Sequence, residues 1–169
     1  MLTLSQKYGT LFSNGVPYLF LGEIMTNNRL TKHFTFEELT HTDYNPLQQK
    51  NSDNAIQYRP KLQKLAEFAE QIREILDCPM IITSGYRCEE LNKYLGGSPT
   101  SKHVYCEAID FIPKNMDAYQ AFAKIIISNI EYHEIILEKR GLGHIIHIAM
   151  GYKRKKLYSP KQGVYKNVL

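Results

Sequence analysis

IITSGYRCEELNKYLGGSPTSKHVYCEAIDF, residues 81–111, is the stretch on which the architecture turns. Its opening residues complete the apolar run PMIIT (79–83), which reads as a short buried strand. A helix is expected over Glu89 to Leu95, because Gly96-Gly97 supplies a stop. EAIDFI (107–112) then reads as a second strand, with an acid set among apolar residues. The segment thus mixes a strand, a helix and a strand without the crossover length of a regular βαβ unit.

The same mixture continues on both sides. From Pro60 to Leu76, the residues Leu62, Leu65, Ala69, Ile72 and Leu76 recur at spacings of three and four, so they share one helix face. Pro60 suits a first helical turn, and Asp77 with Pro79 ends the pattern. Thr35 followed by Glu38 forms a capping box that opens a short helix, FEEL. Residues 41–58 are polar and show no period, so they are expected to be irregular. Asn115 or Asp117 can cap a helix running to about Asn129, with Ala118, Phe122, Ile125 and Ile126 facing inward. EIILE (134–138) and HIIHIAM (144–150) are the last strands, joined through Gly141 and Gly143. The expected class is α+β, a small antiparallel sheet with flanking helices.

Three segments are expected: an N-terminal extension over 1–30, a main domain over 31–152 and a basic tail over 153–169. Asn14-Gly15 between two short apolar stretches signals a hairpin in the extension. In the tail, Lys153, Arg154, Lys155 and Lys156 hold much of the net charge of +4. Such runs are ordinarily a solvated face, and no aromatic residues are interleaved with this one, so no nucleic-acid partner is expected. No apolar run approaches the roughly 20 residues that span a bilayer, so no membrane insertion is expected. The start lacks the basic, apolar and small-residue regions of a signal peptide, which predicts synthesis in the cytoplasm. Cys78, Cys88 and Cys106 are odd in number and lack metal-finger spacing, so no disulfide framework is expected. Oligomeric state is not legible in this sequence.

The chemistry concentrates in His103, Asp110 and His147. A lone carboxylate in an apolar strand is costly unless a cation or hydrogen-bond donors compensate. An imidazole seven residues upstream suggests a metal, and His147 is a second imidazole in an apolar strand. Two histidines and one carboxylate leave a fourth position for water, as catalytic zinc sites do.

Ser84-Gly85-Tyr86-Arg87, Leu91-Asn92, Gly96-Gly97, Ser101-Lys102-His103, Ala108-Ile109-Asp110 and Ile146-His147-Ile148 together resemble the motifs of the zinc D-Ala-D-Ala carboxypeptidase and murein endopeptidase family. That family includes vancomycin-resistance dipeptidases and phage endolysins and shares its fold with the hedgehog signalling domain. The resemblance extends from about Lys32, where KHFTFEEL looks like the family's first helix, to about Tyr152. It implies a hedgehog/DD-peptidase-like fold, a Zn2+ ion on His103, Asp110 and His147, and a peptidoglycan peptide as substrate. It also implies that Arg87 steadies the substrate carbonyl and its oxyanion, with Ser84 and Ser101 in support. A phage-derived lytic or virion-associated enzyme is expected, acting on the wall after release or as part of a virion.

Two positions depart from the family pattern. Cys106 stands where glycine is usual; a thiol there could compete as a ligand, and an inert buried cysteine is the favoured expectation. His144 stands where several relatives place an acid three residues before the last ligand, which makes it the favoured candidate base. Residues three apart on a regular strand face opposite ways, so His144 serves only if the strand starts late or kinks. Glu138 is the alternative base. The rival to an enzyme is a zinc-retaining protein of the same fold that has lost catalysis.

Overall fold

The computed structural model describes residues 28–153, 155 and 156 with side chains, and the backbone of 12–13, 16–17, 157–161 and 164–167. Most of the expected extension over 1–30 lies outside the described residues. Within it, β1 (Phe12–Ser13) and β2 (Val16–Pro17) pair antiparallel, while Asn14-Gly15, where the hairpin turn is expected, lies outside the described residues.

The helices are α1 (Phe36–Thr40), α2 (Asn45–Ala55), α3 (Arg59–Leu76), α4 (Glu89–Tyr94) and α5 (Ala118–Ile127). Thr35 and Glu38 form the capping box of α1, and Asp117 caps α5 through Tyr119 N and Gln120 N. The strands are β3 (Met80–Ser84), β4 (Ala108–Pro113), β5 (Glu134–Arg140), β6 (Gly143–Ala149), β7 (Lys155–Lys161) and β8 (Val164–Asn167). They form one sheet in the order β3-β4-β6-β5-β7-β8, antiparallel except for the parallel β5–β7 pair. The fold is α+β, as expected.

Three local expectations need correction. Within 41–58, residues 45–58 are helical rather than irregular, as α2 followed by a 3₁₀ turn, Ile56–Tyr58. Helix α2 is polar nearly all round and buries only Asn51 and Ala55, so it leaves no apolar period to detect. Strand β3 is an edge strand rather than a buried one, and Ile81 is half exposed on it. Beyond residue 153, β7 and β8 extend the main sheet where no strand is expected from the sequence.

Strand alternation divides the sheet into two faces. Ile109, Phe111, Ile135, Leu137, Ile146 and Ile148 form one, buried with Leu62, Leu65, Ala69, Ile72 and Leu76 of α3 and with Phe122 and Ile125 of α5. Each such side chain contributes roughly 1.5–3 kcal/mol by leaving water, which is what presses helices and sheet together. The other face carries Asp110 on β4, His147 on β6 and Ile136 on β5, in register with one another.

Candidate metal centre

Each of the three expected ligands is held by a different device. Strand β4 carries Asp110 at its centre, 2 % exposed, and β6 places His147 directly opposite. His103 lies in the tight turns between α4 and β4, where Val104 N bonds Ser101 O and Cys106 N bonds His103 O. It is also 2 % exposed. Its Nδ1–H donates to the Gly85 carbonyl at 2.6 Å, which leaves the Nε2 lone pair free to face the other two. Gly85 is required by a close approach, since a Cβ there would lie 2.3 Å from the Leu39 carbonyl oxygen.

His103 Nε2, Asp110 Oδ1 and His147 Nδ1 converge, with separations of 3.2 Å, 3.1 Å and 2.8 Å around the triangle. Burial pushes the Asp110 carboxyl up, but the charges and hydrogen bonds of His103 and His147 hold it well below the usual carboxylate range. Burial pushes the His103 imidazole down despite Asp110, so it is neutral. Burial also acts against the charge on His147, yet the hydrogen bond to Asp110 and the nearby Glu134 carboxylate raise it to about 9. His147 Nδ1 and Asp110 Oδ1 are hydrogen-bond partners at 2.8 Å. A divalent cation fits the same donor set: four-coordinate ligands at 2.0–2.1 Å are about 3.3 Å apart, close to the spacings here.

The outer atoms of the trio are engaged too. Arg87 Nη2 donates to Asp110 Oδ2 at 2.5 Å, and Arg87 Nε donates to Ser84 Oγ at 2.8 Å. A bulge after Ile82 sets Ser84, rather than Thr83, opposite Asp110. Asn51 braces this loop: its Nδ2 donates to the Thr40 and Tyr86 carbonyls, and its Oδ1 accepts from Cys88 N. Sequence reading missed Asn51, which is one of several amides in a polar stretch and carries no signal that sets it apart. It also missed Glu134, whose Oε1 is 3.8 Å from His147 Nε2.

A cleft of about 790 Å³ opens over the trio, with Glu134, Glu138, Arg140 and Lys102 among its walls and Ser101 at its side. Glu138 is 7 % exposed, and Arg140 Nη2 is 3.4 Å from its Oε2. Since Glu138 pairs with Ile145, it is a diagonal neighbour of His147 on the cleft face, at roughly 7–8 Å. His144 is elsewhere. Strand β6 is regular from Gly143, so His144 faces the helices, where its Nε2 meets the Tyr119 hydroxyl at 3.0 Å. The favoured expectation for His144 thus fails on geometry, because strand parity carries it across the sheet from His147.

Cys106 does not join the trio. It is fully buried and adopts φ +58°, the left-handed region where glycine is at ease. Burial pushes its thiol up to about 12. An inert cysteine is what that environment produces. The wall formed by residues 96–101 is pinned by buried Asn92, whose Nδ2 donates to the Ser98 carbonyl.

Two imidazoles and one carboxylate meeting in an open cleft beside a buried glutamate define the site of a metal-dependent hydrolase. Residues 32–149 match the Peptidase M15 family, and the chain belongs to that family of zinc-dependent metallopeptidases. No curated protein matches the chain. Among the described residues, no helix is long and apolar enough to cross a membrane.

Proposed function

We propose that the protein hydrolyses peptide bonds next to D-amino acids in bacterial peptidoglycan, with Glu138 as the general base. The observation that carries this reading is the shared cleft: His103, Asp110, His147 and Glu138 line one cavity in a chain of the Peptidase M15 family. A zinc ion held by the trio would acidify water and polarise the substrate carbonyl.

The protein's own groups supply the rest. Glu138 faces the cleft, and among the described residues its side-chain partner is the half-exposed Arg140 at 3.4 Å, a weak contact that leaves the carboxylate able to take a proton from water entering the cleft. It can then deliver that proton to the leaving amine. Glu134 is the less suitable base: its attraction to the His147 imidazole, 3.8 Å away, outweighs burial and holds its carboxyl below the usual range. It orients the imidazole instead. Arg87 keeps Asp110 in place and brings a fixed cation to the cleft edge, where negative charge develops on the substrate oxygen.

Peptidoglycan as the partner is supported by the motif resemblance and by an open, polar cleft that admits a chain rather than a small molecule alone. A phage-derived lytic or virion-associated role follows from the same resemblance. The test is to incubate zinc-loaded protein with purified peptidoglycan and to count new amino termini. Release that disappears on zinc removal is expected. Stoichiometric zinc with no release would overturn the catalytic reading in favour of a zinc-retaining binding protein.

A further inference from the structure

A second groove, of about 800 Å³, opens on the far side of Lys102 from the metal cleft. Lys102 lines both, and its Nζ holds Glu107 Oε2, on the second groove's side, at 2.6 Å. Phe68 of α3 and Met150, just past β6, give the groove an apolar floor. Lys64 and Lys153 bring two ammonium groups to it, and neither forms an ion pair among the described residues. Glu131 also lines the groove, and Glu107 is already engaged by Lys102.

We propose that this groove is a subsite for a carboxylate-bearing segment of the peptide whose scissile bond lies in the metal cleft. The inference rests on the peptidase reading above. Continuity at Lys102 lets one extended chain cross from one cavity to the other. Charge selects the segment: two ammonium groups with no ion pair among the described residues, set against the single carboxylate of Glu131, leave the groove net positive over its apolar floor. That favours carboxylates on a chain whose remaining surface is aliphatic. A neutral peptide would lose only that charge term, so the groove discriminates between substrates rather than driving the chemistry.

The experiment uses zinc-loaded full-length protein and two labelled stem-type peptides ending in D-Ala-D-Ala. Their terminal amide is replaced by a non-hydrolysable methyleneamine, and they differ only in one internal carboxylate against its carboxamide. Fluorescence anisotropy at low ionic strength should give about fivefold tighter binding of the carboxylate peptide, the size expected of two partly exposed charge contacts. The double variant Lys64→Gln, Lys153→Gln should erase that preference while leaving affinity for the carboxamide peptide unchanged. Equal binding of both peptides by the unaltered protein, or a preference surviving the double variant, would overturn the subsite. Hydrolysis of the ordinary amide peptide is scored separately. Its failure beside an intact binding preference strikes the proposed reaction and leaves the groove standing.

Discussion

Arg87 and Asp110 form a buried ion pair on the outer side of the metal-facing carboxylate, with Nη2 and Oδ2 2.5 Å apart. The inner oxygen, Oδ1, meets both imidazoles. One carboxylate is thus shared between a permanent cation and the ligand cluster. From motif position alone, Arg87 is a group for the substrate; in the fold, the described hydrogen bonds of its side chain go to Asp110 and Ser84.

Arg87→Ala should therefore weaken zinc binding as well as turnover. Losing a partner that orients a metal ligand typically lowers metal affinity about 10–100-fold. Competition with a chromogenic chelator measures it, and unchanged affinity would return Arg87 to a purely substrate-directed role. His103→Ala and Asp110→Ala should lose stoichiometric zinc altogether.

Glu138→Gln should keep zinc and lower kcat by about 10²–10⁴-fold, the usual contribution of a general base. His144→Ala should leave kcat within about twofold, because its imidazole is turned to Tyr119 across the sheet. Parallel kinetics with metal analysis decide between them. A large loss in His144→Ala alone would restore the histidine as base.

Asn51 makes three buried hydrogen bonds to the backbone at Thr40, Tyr86 and Cys88. Asn51→Ala strands two carbonyls and one N–H, at a cost of about 3 kcal/mol or more. For a domain of this size, that lowers Tm by about 6–12 °C. Thermal unfolding of zinc-loaded protein checks it, and a shift under about 2 °C would show that water replaces the amide.

Cys106 couples backbone strain to a buried thiol. Cys106→Gly should change stability by less than about 1 kcal/mol, since relief at positive φ offsets lost packing and added chain entropy. Cys106→Val should cost about 2–3 kcal/mol, because a branched Cβ tolerates that φ poorly in a filled core. The thiol also predicts a pH effect. It ionises near 9 in the unfolded chain and at about 12 in the folded one. Its contribution to stability is therefore complete below pH 9 and is lost as pH rises towards 12. Native protein at pH 8 should resist iodoacetamide at Cys106, as mass spectrometry of the labelled chain would record.

Much of the fold was legible because apolar spacing records burial directly. Leu62 to Leu76 define α3, Thr35 and Glu38 open α1, and the apolar runs mark β3 to β6. Helix α2 was not legible, since it buries an amide and an alanine rather than a stripe. Strands β7 and β8 were not either: β7 is recruited by parallel pairing with β5, and that contact leaves no local pattern.

The metal trio was legible for a different reason. An acid or imidazole inside an apolar run is costly, so its presence announces a partner before the partner is known. His103, Asp110 and His147 are determined in that sense by the sequence itself. Only the tertiary structure decided which residue stands ready beside them. His144 is nearer to His147 along the chain, but strand parity sends it to the helix face; Glu138 is farther along the chain, and the β5–β6 register returns it to the cleft. The orientation of Ser84 and Arg87 towards Asp110 was settled likewise, by a bulge and a buried asparagine that act across strands and loops.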